Sequence, residues 1–149
     1  MHVADNGQLD EDKYAKIRPI YDHLNGKLVQ FGTFHDSFSI DESMCPYCGR
    51  HECKVYIKMK PIKFGFKSFV LTSSDGYPYK IIPYPDPNFV KTKPQHLQAV
   101  EQLLEAIDSD VGFELYFDSF YSSEEVMDLC TKKGIKAIGT MQQNRMQLS

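Results

Sequence analysis

The chain of 149 residues has no tryptophan, four cysteines, and no run of apolar residues approaching the ~20 that a membrane-spanning helix requires. Its first residues, Met1-His-Val-Ala-Asp-Asn-Gly7, lack both the basic segment and the apolar segment of a secretory leader. The expectation is therefore an intracellular protein with reduced thiols and no membrane partner. Internal repeats, low-complexity tracts and long linkers are also missing. What remains is ordinary globular material: 42% hydrophobic and 25% charged residues, enough for one domain with a real core. Ten Phe and nine Tyr favour strands and a packed sheet.

The net charge of −3 does not by itself suggest a nucleic-acid binder, but the charges are unevenly placed. Between positions 50 and 67 stand six basic residues, Arg50, Lys54, Lys58, Lys60, Lys63 and Lys67, against the single acid Glu52. Acids concentrate in the first forty-two positions. Such clustering is what a basic stripe on a near-neutral protein looks like, and equally what a strand edge kept soluble by lysine looks like.

Residues 1–12 are polar and acidic and are expected to form a flexible N-terminal segment, with the domain proper over residues 13–149. Over residues 14–29, Tyr14, Ile17, Ile20, Tyr21, Leu24 and Leu28 recur at helical spacing. Pro19 and Gly26 interrupt the pattern, so a broken or kinked helix is expected there. A strand should run from Phe38 to Ile40. A second is expected over residues 54–60, where Val55, Ile57 and Met59 alternate with Lys54, Tyr56, Lys58 and Lys60. The denser apolar run over residues 64–72 predicts a more central strand, and residues 77–84 a further one after the turn Ser73-Ser-Asp-Gly76. Residues 93–107 predict a helix with Pro94 in its first turn, and residues 113–117 a strand. Ser122 with Glu125 reads as a capping box for the next helix, Gly134 as its C-terminal cap, and residues 135–140 as a last strand. A strand meander followed by helix–strand units is a mixed α/β layout.

Two aspartates stand where apolar strands end. Asp41 follows Phe38-Ser-Ile40, and Asp118 follows Leu115-Tyr-Phe117. If those strands are neighbours, the carboxylates converge, and two such anions need a cation between them. Mg2+ suits hard oxygen ligands and keeps positions open for water and phosphate. The spacing alone equally allows a turn at Asp41-Glu-Ser43 and a local capping role for Asp118.

A longer string of motifs bears on that choice. Ser39-Ile-Asp-Glu-Ser-Met44, Pro46, Gly49-Arg50 and Tyr56-Ile-Lys-Met-Lys-Pro-Ile-Lys-Phe-Gly-Phe-Lys67 resemble the core of piggyBac transposases and their domesticated derivatives. Leu71-Thr-Ser-Ser-Asp-Gly-Tyr77 is similar to the family's hairpin, and Leu115-Tyr-Phe-Asp-Ser-Phe-Tyr-Ser-Ser123 to its second acidic motif. Gly134-Ile-Lys-Ala-Ile-Gly-Thr140 with Asn144-Arg145 resembles the segment after that. Upstream, Ile17-Arg-Pro-Ile-Tyr-Asp-His-Leu24 resembles the helix before the first catalytic strand.

The resemblance implies an α/β, RNase H-like (retroviral-integrase-like) core, C-terminally incomplete. In the family, three aspartates bind two Mg2+ ions for cutting transposon ends and joining them at TTAA sites. Asp41 and Asp118 match the first two, as catalytic residues and Mg2+ ligands. The implied third lies downstream of Ser149, so the isolated chain is expected not to cleave DNA. The resemblance further implies double-stranded DNA as partner and the nucleus as location. An uncovered sheet, exposing apolar residues of 64–71 and 113–117, is expected to favour self-association into a homo-oligomer. Arg50, Lys54, Lys58, Lys60, Lys63 and Lys67 become candidate phosphate contacts, with Lys54, Lys58 and Lys60 on one strand face. A domesticated, non-catalytic protein that binds DNA or chromatin partners is the alternative reading.

Cys45-Pro-Tyr-Cys48 matches a redox string, but such a site needs its first Cys at a helix N-terminus, and no helical pattern follows. Cys45, Cys48, His51 and Cys53 offer four zinc donors within nine residues. The single residue between His51 and Cys53 is tighter than a usual finger and no second half-site exists, so zinc is the weaker expectation. Cys130, on an apolar helix face, reads as core.

Overall fold

A computed structural model describes residues 13–33, 35–107 and 112–141. The segment 1–12 and the Asn144-Arg145 motif lie outside the described residues.

Helix α1 (Arg18–Phe31) is followed by strands β1 (Ser37–Pro46), β2 (Val55–Tyr56), β3 (Phe64–Ser73) and β4 (Pro78–Tyr84). Helix α2 (Gln95–Leu104), strand β5 (Glu114–Phe117), helix α3 (Glu124–Lys132) and strand β6 (Lys136–Gly139) complete the described chain. The strands form one sheet in the order β2-β3-β1-β5-β6, with β4 also paired to β3. The meander β1–β3–β4 is antiparallel, whereas β1–β5 and β5–β6 are parallel pairs reached through α2 and α3. Parallel neighbours need such crossovers, and the helices that make them cover the sheet.

Alternation decides what is buried. Phe38 and Ile40 of β1, Phe69 and Leu71 of β3, and Leu115 and Phe117 of β5 share one face and are all buried. Ala99, Val100, Leu103 and Leu104 of α2 and Val126 and Cys130 of α3 close over them in a single core. On the other face Tyr116 and Ile138 remain 39% and 37% exposed. The apolar runs expected to be uncovered are therefore mostly inside. Of them Phe64, at 54%, stands furthest out in solvent, at the start of β3, and Tyr116 is exposed on the uncovered face.

Three sequence expectations are corrected. Pro19 does not break α1. It occupies the helix's first turn, where its missing N–H has no partner to lose, and the helix runs on through Gly26. The strand expected over residues 54–60 shrinks to Val55–Tyr56, since residues 58–62 turn; Pro61 cannot donate to a ladder there. The cap of α3 is Ser123, whose hydroxyl accepts the Val126 N–H, not Ser122. Ser122 is instead buried and donates to the Asp118 carbonyl at 3.2 Å.

Two contacts fix the sheet. Asn25 of α1 accepts the Ile81 N–H and donates to its carbonyl, both at 2.9 Å, which closes the outer edge of β4. Gly65 of β3 lies so close to β1 that a Cβ there would collide with the Cys45 carbonyl. A side chain at this point of the long β1–β3 ladder is sterically excluded.

Candidate metal centre

The parallel pairing of β1 with β5 ends at Ile40 opposite Phe117. The next residue on each strand is an aspartate, Asp41 and Asp118. β1 continues past this point, pairing with β3 as far as Pro46, so Asp41 sits within a ten-residue strand rather than at its tip. Only its parallel partner stops there. Asp118 leaves β5 into a turn, in which its Oδ1 accepts the Phe120 N–H at 2.9 Å and its carbonyl accepts the Tyr121 N–H at 3.2 Å. Asp41 Oδ1 accepts the Glu42 N–H at 2.7 Å. Both carboxylates are exposed at the end of an open groove lined by Ser39, Tyr116, Ile138 and Thr140.

A third acid joins them. Glu42, on the opposite face of β1, brings a carboxylate oxygen into a group in which the ligand atoms of Asp41, Glu42 and Asp118 all lie within 4.8 Å of one another. Its side chain is 13% exposed, and its Oε2 is buried without a hydrogen-bond partner. The hydroxyl of Tyr121, wholly buried, is likewise unpartnered. Burial pushes that phenol's pKa up, and the charges of Glu42, Asp41 and Asp118 push it further. Hard carboxylate donors with an unsatisfied buried oxygen among them suit a divalent cation. Glu42 was missed from sequence because strand alternation turns it away from Asp41; its position directly after that aspartate was the available signal.

The basic residues do not form one face. Lys60, in the turn between β2 and β3, lies 3.7 Å from Asp41 Oδ1 and 3.2 Å from Glu42 Oε1. Burial draws its pKa down, but the hydrogen bond to Glu42 and the charges of Asp41, Glu42 and Asp118 outweigh this and hold it above the ordinary lysine value. Lys67, on β3, is half-buried with its ammonium 4.8 Å from the ring centres of Phe69 and Phe120 and 5.5 Å from that of Tyr84. Burial is the main cause holding its pKa below the usual lysine value. Lys54 is turned inward on the loop, donating to the Gly49 carbonyl at 3.1 Å and lying 5.3 Å over the Phe64 ring. Arg50, Lys58 and Lys63 are exposed. The shared face expected for Lys54, Lys58 and Lys60 is thus not formed, because β2 ends before Lys58.

The four zinc donors stay apart. Among the described residues, Asp41, Glu42 and Asp118 are the group of three or more donors that gathers within such a radius. Cys45 and Cys48 face solvent, whereas Cys53 is buried beside Tyr14 and its N–H is accepted by His51 Nδ1 at 3.1 Å.

A family model described as transposase IS4 matches residues 1–149. The chain belongs to the piggyBac-type transposase family. It is 36% identical over 155 residues to the human piggyBac transposable element-derived protein 3, covering 98% of this chain and 26% of that protein. It is 30% identical to the human piggyBac transposable element-derived protein 2, covering 99% of this chain and 26% of that protein. The chain thus spans about a quarter of the length of these curated relatives. A cryo-EM structure of a piggyBac transposase synaptic complex with hairpin DNA superposes with a TM-score of 0.85 at 22% identity, over 95% of this chain and 30% of that one. The fold is accordingly the RNase H-like α/β fold of this family's catalytic domain. The family's acidic, DDE-type chemistry implies use of a divalent metal. Among the described residues no helix is long and apolar enough to cross a membrane.

Proposed function

We propose that this chain is part of a piggyBac-type catalytic core, in which Asp41 and Asp118 hold Mg2+ for phosphoryl transfer on double-stranded DNA. The observation that carries the reading is the register: two adjacent parallel strands stop pairing at Ile40 and Phe117 and each continues into an aspartate. Glu42 brings a third carboxylate to the same place. A divalent ion bound there supplies Lewis-acid stabilisation of the attacking and leaving oxygens of a phosphodiester. The chain's own part is positional. β1 and β5 hold the two carboxylates at fixed separation, the turn after Asp118 pins one of its oxygens, and Arg50, Lys58 and Lys63 offset the repulsion between an acidic centre and DNA phosphates. In the complete enzyme this chemistry would serve strand cleavage and joining at TTAA sites in the nucleus.

The family pattern implies a third aspartate downstream of Ser149. With that ligand lacking, the isolated chain binds metal without cleaving DNA. Mn2+ titration followed by electron paramagnetic resonance, beside a hairpin-end cleavage assay, tests both halves. The expected result is binding weakened at least about tenfold by Asp118→Asn, with no turnover. Binding indifferent to Asp118→Asn would sink the metal assignment, and cleavage lost in that variant would sink the inactivity. The names of the human relatives, transposable element-derived proteins, favour a second reading in which the fold binds DNA or chromatin partners without chemistry. Asp118-dependent strand cleavage on supplying the remainder of the family's catalytic domain would exclude it.

A further inference from the structure

The acidic trio already has a cation. We propose that the Lys60 ammonium is a built-in counter-ion of the metal centre, which the divalent ion displaces and which then passes to a DNA phosphate. This inference rests on the metal assignment above. Its basis is geometric: among the six basic residues of positions 50–67, Lys60 is the one that forms ion pairs with the acids, 3.2 Å from Glu42 and 3.7 Å from Asp41, whereas Lys67 feels their charge from β3 without pairing to them. Lys60 reaches them from a turn, whose backbone can release it, rather than from a ladder-paired strand. Lys67, by contrast, is held on β3 by three aromatic rings and is not free to leave.

Three anions with ligand atoms this close repel one another, and each gains by a neighbouring positive charge. Lys60 supplies that charge while the metal is absent, keeping the acids together instead of splayed. A divalent ion brings twice the charge and direct oxygen coordination, so both cannot occupy the space between Asp41 and Glu42. The side chain of Lys60 is 31% exposed, so the displaced ammonium has a path to solvent and to a polyanion lying across the groove. Metal loading and DNA capture are then linked through one residue. Without metal, the lysine is spent on the acids; with it, the same lysine adds a phosphate contact.

The test measures binding, not turnover. Mn2+ affinity of the DNA-free chain is compared for the native protein, Lys60→Met, Lys63→Met and Asp41→Asn, each first checked for an unaltered circular dichroism spectrum and melting transition. Removing the competing ammonium is expected to tighten Mn2+ binding about three- to tenfold in Lys60→Met. Lys63→Met removes the same formal charge from an exposed position and is expected to leave it unchanged. Mn2+ binding that depends on Asp41 but is unchanged or weakened by Lys60→Met overturns the counter-ion role and leaves the metal site standing. Binding that does not depend on Asp41 overturns the metal site and this inference with it. The hand-over is read from affinity for a fluorescent duplex with Ca2+ against EDTA. The gain on adding Ca2+ is expected to be larger in the native chain than in Lys60→Met, and equal gains overturn it.

Discussion

Two clusters of candidate metal ligands stand in this chain, and their fates differ. Cys45, Cys48, His51 and Cys53 are packed into nine residues, yet their donors do not gather, because one sulfur is buried beside Tyr14 while two face solvent. Asp41 and Asp118 are far apart in sequence, yet they meet because a parallel ladder sets both strands in register up to the preceding residue. Closeness along the chain constrains donor atoms weakly when one, Cys45, belongs to β1 and the other three lie in the loop after it. A sheet constrains them strongly, since its strands lie roughly 4.8 Å apart and each position has a fixed partner.

The largest expected effect breaks the sheet that makes the difference. Leu115→Ala, at a fully buried position opposite Phe38, should cost about 3–4 kcal/mol by chemical denaturation, and should weaken Mn2+ binding with it. Gly65→Ala forces β3 away from the Cys45 carbonyl and is expected to cost about 2 kcal/mol, read as a fall in melting temperature. Lys67→Ala, which leaves its aromatic neighbours without the ammonium and its stem, should destabilise by about 1 kcal/mol, whereas Lys63→Ala should not alter the melt. For the loop cluster, Cys48→Ser is expected to change stability by less than about 0.5 kcal/mol with or without added zinc. A zinc-dependent rise in melting temperature lost in that variant would place the two clusters on an equal footing.

The thiols sharpen the same contrast at the smallest scale. Burial pushes the Cys130 pKa up to about 11, so its thiolate is scarce at neutral pH. Alkylation of the native chain followed by mass spectrometry should label Cys45 and Cys48 first, and Cys53 and Cys130 only on unfolding. Because that pKa is raised above the ordinary thiol value, this group's contribution to stability is intact at neutral pH and is expected to be lost as pH climbs past the ordinary thiol range. There the unfolded chain ionises and the native one does not.

Much of the architecture was legible because it rests on local rules. Alternation at Phe38 and Ile40 located the start of β1, the dense apolar runs over residues 64–72 and 113–117 located β3 and β5, helical spacing located α2 and α3, and Gly134, at φ +70, ended α3 as a C′ glycine should. Of the site, Asp41 and Asp118 were visible as acids after apolar strands. Glu42 was not, because alternation turns it to the face of β1 opposite Asp41, and its nearness to Asp118 is a relation between separate strands. The lysines were misjudged for a similar reason. A periodic pattern over residues 54–60 looks like a strand whether or not a partner exists, and the pairing fades after Tyr56, where only the Ile57 N–H still reaches across, to the Lys63 carbonyl at 2.9 Å.

The amino-acid sequence by itself determined the family, the α/β class and which side chains are apolar enough to make a core, since these follow from composition, motif order and spacing. Tertiary structure alone decided which strands are neighbours, that Asp41 and Asp118 occupy the next register positions beyond a parallel pair, and that one lysine lies on the acids while another is enclosed by rings. The physical reason is that these are relations between segments distant in the chain, fixed by ladder hydrogen bonds and packing that no local pattern records.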